Sequence, residues 1–399
     1  MSRDFGSAAP KLKALGPING ARPYVWRDPE TIPPRKWLYG RELLRGTVTV
    51  VVAPGGTGKT ALLTGTALSL ATGRAFLRKA LHEGKLRVWI WQLEDSLEEM
   101  SRAIQAAALH WGISRTEIAG SLFLNSALDG DELKVASETR EGITVHTPTV
   151  DAVAAELIER GIDVLIVDPF VSSHDVNENS NTAIDAVAKA WAMVAVRANC
   201  SIVLVHHVSK AGSAEVTANS ARGAVALTAA ARSVLALNRM SEAEAKEYGI
   251  DGERRRRYFR SYDDKGNRAP PADASDWFEL VSVSLGNGPD GGDSMGVVVP
   301  WSPPSLFEGV SGADLLAVQR KIASGDWRKD AQSGLDWVGY AVAAATGLDP
   351  VKDKGRIAKM LGVWIANGAL AIENKPDARR KLKPFVVVGQ WADTEGAPR

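Results

Sequence analysis

Residues 53–60 read A-P-G-G-T-G-K-T, and this run restricts the possible folds more than any other stretch of the chain. Glycines at 55, 56 and 58 let the backbone curl so that successive N–H groups converge on phosphate oxygens. A helix starting directly behind the loop adds the positive end of its dipole. Ala53 stands where such loops usually begin with Gly. Residues 47–52 are a β-branched, strand-like run, and 60–72 have helical character with Gly73 suited to end them. The pattern predicts a strand–loop–helix phosphate site made by Gly55, Gly56, Thr57, Gly58, Lys59 and Thr60. Lys59 would neutralise the β- and γ-phosphates of ATP, and the Thr60 hydroxyl would ligate Mg²⁺.

A phosphate loop needs a second oxygen ligand for the metal. Asp168 ends the apolar run VLIVD, at the carboxyl edge where ligands of parallel sheets sit, and is the candidate Mg²⁺ carboxylate. Glu94 and Asp95 follow the run RVWIWQL. If that strand neighbours the phosphate-loop strand, Glu94 is placed to orient and deprotonate an attacking water. Asp95 then supports it, or caps the next helix through the N–H of Leu97 or Glu98. His206 and His207 end the apolar run IVLV. Strand alternation sends them to opposite faces, so at most one of them can sense the γ-phosphate.

Apolar strands near 87–93, 164–167 and 202–205 alternate with helices near 96–110, 150–160 and 182–198. This predicts an α/β fold with a mostly parallel sheet covered on both faces. Short strands at 122–124 and 133–135 read as a hairpin. Strands at 232–238, 256–262 and 277–285 would extend the sheet antiparallel. Residues 1–24 read as a loose tail, 25–285 as the nucleotide-binding domain, and 286–311, rich in Gly, Pro and Ser, as a linker. Residues 312–399 predict three helices, with Asp349-Pro350 opening the third. Two strands around the basic loop KPDARRKLK follow, which is the plan of a small winged-helix-like domain. That segment holds 14 Lys/Arg against 10 Asp/Glu, whereas the first 311 residues hold 34 against 37. The basic excess therefore lies at the C-terminal end, although the whole chain carries only +1. One cysteine, Cys200, rules out an intramolecular disulfide and fits a reducing cytoplasm. No apolar run is long enough to span a bilayer, and the N-terminus lacks the apolar stretch of a signal peptide.

The order APGGTGKT, WQLED, LIVDP and VLVHHVSK, continued by NSARGAVALTAAARSVLAL, MSEAEAKEYGID and DDKGNRAPP, resembles the RecA-like hexameric helicases of the RepA type from plasmids and phages. The likeness covers roughly residues 30–285. It implies a RecA-like ATPase core in a homo-hexameric ring, with ATP between subunits and single-stranded DNA in a central channel. It further implies a cation given by the neighbouring subunit, with Arg232 the matching arginine and Lys265 a second candidate. The loops near 170–182 and 208–223 would line the channel. Both read as lacking apolar anchors, and Lys210 and Arg222 are their candidate DNA contacts. The C-terminal segment lies outside the likeness. Its Arg379, Arg380, Lys381 and Lys383 suit duplex DNA, and a replication protein is the other candidate partner. Three functions fit these residues: a ring motor on single-stranded DNA, a RecA-like ATPase for loading or recombination that does not unwind, and an ATP-switched DNA-binding initiator.

Overall fold

The structure, a computed structural model, describes residues 20–208, 215–217, 220, 224–266, 275–376 and 381–392. Residues 20–36 belong to a unit separate from the rest. Within it Pro29–Thr31 make one 3₁₀ turn, and the exposed rings of Tyr24 and Trp26 meet edge-on.

The second unit opens with β1 (Trp37–Tyr39) and β2 (Leu43–Leu44), a short antiparallel pair. Then come β3 (Thr47–Pro54), α1 (Lys59–Thr72), β4 (Val88–Gln92), α2 (Leu97–Trp111), α3 (Arg115–Ile118) and β5 (Leu122–Ser126). β6 (Ala136–Thr139) and β7 (Gly142–Val145) form a separate hairpin, followed by α4 (Thr147–Glu159), β8 (Val164–Asp168), α5 (Asn181–Ala198) and β9 (Ser201–Val208). The chain continues through α6 (Ala224–Ala230), β10 (Ser233–Arg239), α7 (Glu242–Tyr248), β11 (Tyr258–Gly266), β12 (Asp276–Ser284) and β13 (Ser294–Trp301).

Among the described residues nine strands share one sheet in the order β13-β12-β11-β10-β3-β9-β8-β4-β5. From β10 to β5 every neighbouring pair is parallel; β11, β12 and β13 add on antiparallel. This is the expected α/β architecture with a mostly parallel sheet. Two local expectations fail. Residues 122–124 do not pair with 133–135: β5 is the parallel edge strand, and the hairpin lies later, at β6 and β7. Residues 286–311 do not simply link, because β13 lies inside them and pairs with β12. The Gly/Pro-rich run GNGPDGGD makes the turn of that hairpin, its Leu285 N–H bonded to the Asp293 carbonyl at 2.8 Å. Turn composition and linker composition look alike in sequence.

Period-two alternation sorts the core into two layers. Val48, Val50, Val52, Leu165, Val167, Ile202, Leu204, Val234 and Ala236 pack with α4, α5 and α6. Val51, Ala53, Val164, Ile166, Val203, Val205, Leu235 and Leu237 pack with α1 and α2. Leu62, Leu63, Leu68 and Leu70 of α1 are buried, each contributing roughly 1.5–3 kcal/mol. α1 ends at Gly73 (φ +74), as the sequence predicts.

After β13 come α8 (Gly312–Ala323), β14 (Trp327–Arg328), α9 (Val338–Thr346), α10 (Lys354–Ala366), β15 (Leu370–Pro376) and β16 (Leu382–Val388). The three strands form an antiparallel sheet ordered β14-β16-β15. Val318, Ile322, Val338, Val342, Ile357, Met360 and Trp364 give this segment a core of its own. Asp349 does not open α10. Its carboxylate accepts the N–H groups of Val351 and Lys352, both at 2.8 Å, and closes a turn one step earlier. An exposed ion pair joins Lys359 of α10 to Glu247 of α7. Among the described residues no helix is long and apolar enough to cross a membrane.

Candidate nucleotide site

The parallel strands β3, β8, β4, β9 and β10 all finish at one edge of the sheet, and the site is built there. The loop 55–58 leaves β3, and Gly58 (φ +102) caps α1. A Cβ at Gly58 would lie 3.1 Å from Phe259 and 3.2 Å from Leu280, so glycine is required by backbone and by packing alike. Thr57 is buried and its hydroxyl donates to the Pro54 carbonyl at 2.9 Å. Lys59 is only 4% exposed, and its Nζ donates to the carbonyls of Ala53 (3.3 Å) and Pro54 (3.0 Å). Burial pushes the Lys59 pKa down and the Arg239 charge adds to this, while Asp168 and Glu94 oppose it.

Asp168 lies on the α1 face, buried, with the Thr60 hydroxyl donating to its Oδ2 at 3.4 Å. Burial pushes its pKa up to about 6, against the pull of Lys59 and of hydrogen bonds from Thr60 and Gln92. A hydroxyl and a desolvated carboxylate side by side are hard oxygen donors suited to Mg²⁺. That ion takes one or two protein oxygens and completes its shell with phosphate and water. Among the described residues no cluster of three His, Cys, Asp or Glu could hold a metal alone. The donor set therefore fits a nucleotide-bound Mg²⁺ better than a metal held by protein only.

β4 is not the neighbour of β3, as the reading of Glu94 supposed; β9 and β8 stand between them. Glu94 nonetheless reaches the site, because it lies exposed just past β4 and its charge acts on both Lys59 and His207. Asp95 does not cap α2. Ser96 does, accepting the Glu99 N–H at 3.3 Å, and the Leu97 N–H goes to Asp129. The Asp95 carboxylate instead accepts from the Gln92 amide at 3.4 Å. Gln92 is opposite Asp168 in the β4–β8 register.

The two histidines part as alternation requires. His207 has the parity of Val203 and Val205, is exposed, and lies opposite Ala53 in the register. Partial desolvation of its ring and the Lys59 charge lower its pKa, while Glu94 raises it. His206 has the parity of Ile202 and Leu204 and is buried. Its ring centroid lies 6.4 Å from that of Phe170, and burial holds its pKa down near 4.

Arg232 and Lys265 lie at the other edge. Arg232 precedes β10, is exposed, and its N–H bonds the Val48 carbonyl near the start of β3. Lys265 of β11 is opposite Val234, and its Nζ donates to the carbonyls of Thr228 (2.7 Å) and Ala229 (3.1 Å) in the last turn of α6. Burial lowers its pKa, helped by the Arg232 charge.

The segment after Asp168 does have apolar anchors. Phe170–Ser173 form a 3₁₀ turn, and Phe170, His174 and Val176 are buried. Val216 is buried too, its N–H and carbonyl both bonded by the Asn238 side chain. Lys210, Arg222, Arg379 and Arg380 lie outside the described residues. Lys381 is exposed beside β16, and Lys383, half-buried, is opposite Lys375.

Sequence reasoning passed over Arg239. It ends β10 with the parity of Leu235 and Leu237, and its Nη2 donates to the Gly56 carbonyl of the phosphate loop. The signal was available: a cation closing an apolar strand, two residues on from the α1-facing Leu237.

Residues 23–213 match a family described as an AAA domain. The match takes in the phosphate loop, Glu94, Asp168 and both histidines. It stops before β10. That similarity, together with the phosphate loop on the parallel sheet, supports nucleotide-dependent ATPase activity.

Proposed function

We propose that this chain is a subunit of an ATP-driven DNA helicase, a homo-hexameric ring of the RepA type from a plasmid, phage or other mobile element. The observation that carries this reading is the division of charged residues between the two edges of one sheet. Lys59, Thr60, Asp168, Glu94 and His207 gather at the carboxyl edge. Arg232 and Lys265 are at the amino edge, on the far side of a strand of 7 residues, about 20 Å away. Arg232 therefore serves the phosphate loop of a neighbour, not its own, and a closed ring gives every loop such a neighbour.

At each site Lys59 and the loop N–H groups hold the phosphates. Thr60 and Asp168 hold Mg²⁺, which neutralises charge on the β- and γ-phosphate oxygens when bound. Glu94 accepts the proton of the attacking water. His207, on the same face, feels the γ-phosphate come and go; His206, buried on the other face, does not. Arg232 stabilises charge developing on the transferred phosphoryl group. The part of 170–182 beyond Val176, and 208–223 with Lys210 and Arg222, follow single-stranded DNA in the channel. Residues 312–399 act as a winged helix. The order helix, strand, two helices, hairpin and the sheet order β14-β16-β15 support that reading. Its wing, with Arg379, Arg380, Lys381 and Lys383, tracks duplex phosphates.

Strand separation of a forked duplex, measured with and without ATP, tests the motor. ATP-dependent separation is expected. DNA-stimulated turnover without separation would leave a loader or recombination ATPase. ATP-dependent assembly without turnover would leave a switch.

A further inference from the structure

We infer that Arg239 is a positioning residue for the phosphate loop of its own chain, acting on the nucleoside triphosphate through the Gly56–Thr57 peptide. The inference rests on the ATPase reading of the site and names a residue which that reading did not use. Arg239 leaves the carboxyl end of β10, the strand paired in parallel with β3. Its guanidinium donates to the Gly56 carbonyl. A trans peptide is planar, so its C=O and N–H point in opposite directions. Holding the Gly56 carbonyl outward therefore holds the Thr57 N–H inward, where the phosphate oxygens bind.

Two features show that the contact is built into the loop. Gly56 has φ +66, a conformation open to glycine at little cost. A Cβ there would lie 3.0 Å from the Arg239 Nη2, so the missing side chain also makes room for the guanidinium. The opposite end of the same strand leads to Arg232. The arginines at and just before the two ends of β10 thus act on different nucleotides: Arg239 in cis on the loop, Arg232 in trans.

The test uses the full chain and a fluorescent ADP analogue. Arg239→Met keeps the apolar stem and removes the donor. It is expected to weaken ADP binding about tenfold, since a charge-assisted bond to the loop is lost. KM for ATP should rise by a similar factor with kcat nearly unchanged, because phosphates are held alike in ground and transition states. Arg239→Lys, which can still donate to the carbonyl, should restore most of the affinity. The melting temperature without nucleotide should not move, which separates positioning from a general loss of structure. Unchanged ADP affinity in Arg239→Met, beside an unaltered protein that binds ADP, would overturn the inference alone. No ADP binding by the unaltered protein would overturn the ATPase reading as well.

Discussion

The carboxyl edge of the parallel sheet gathers Lys59, Asp168, Glu94, His207 and Arg239 within one chain, whereas the amino edge presents Arg232 and Lys265 on the side away from the phosphate loop. At the carboxyl edge Asp168 and Lys59 are buried, and burial pushes Asp168 up and Lys59 down while each charge opposes the other's shift. At the amino edge Arg232 is exposed, and Lys265 is held by carbonyls of α6. One edge has the makings of a binding site by itself. The other has a cation and lacks a loop to serve. In a parallel sheet every strand has one end at each edge, so a single strand, β10, contributes to both.

The largest effect expected from breaking this contrast is at Arg232. Arg232→Ala should bind ATP nearly as well as the unaltered protein and hydrolyse it about 10⁴-fold more slowly, as for other trans arginines. Mixing it with Lys59→Ala should restore turnover above the sum of the two preparations, because some interfaces then pair an intact loop with an intact arginine. Loss of ATP binding in Arg232→Ala would instead place Arg232 at its own site. A smaller loss, about 10³-fold in turnover, is expected for Glu94→Gln with ATP binding kept, since the amide cannot take a proton. If Glu94→Gln bound no ATP, the carboxylate would be structural.

How far these roles could be read from sequence follows from which ones depend on period and which on pairing. Strand parity alone separates His206 from His207 and would have found Arg239, because residues 235, 237 and 239 share a face. The glycine spacing made the strand–loop–helix turn at 53–60 legible. Pairing order was not legible: the role of Glu94 is conditional, in sequence, on β4 neighbouring β3, but β9 and β8 intervene. A strand's partners depend on long-range packing, which local pattern does not record. The run 286–311 misled because a hairpin turn and a linker draw on the same residues. The segment 170–176 misled because its anchors, Phe170 and Val176, are isolated apolar residues in a polar run, and only the tertiary fold shows that they are buried.

The smallest effect is on stability, and it sharpens the description of the carboxyl edge. A carboxyl whose pKa is raised by folding stabilises the fold fully below its ordinary value. That contribution is lost as pH rises through the raised value, here about 6. At pH 8 ionised, buried Asp168 therefore costs about 3 kcal/mol. Asp168→Asn should melt higher than the unaltered protein at pH 8, without nucleotide or Mg²⁺, and the gap should close below pH 4. It should also lose Mg²⁺-dependent turnover. Equal melting at pH 8 would mean that Asp168 is better solvated than its burial implies.

The division of labour between the edges is tested most directly by ATP turnover per chain, followed as the protein is diluted, with particle mass measured in the same solutions. If the carboxyl edge of one chain needs the amino edge of another, turnover per chain falls in step with the loss of assembled particles and is minimal where only monomers remain. Monomers that hydrolyse ATP at the full assembled rate would contradict the account, and would leave Arg232 and Lys265 without a part in the reaction.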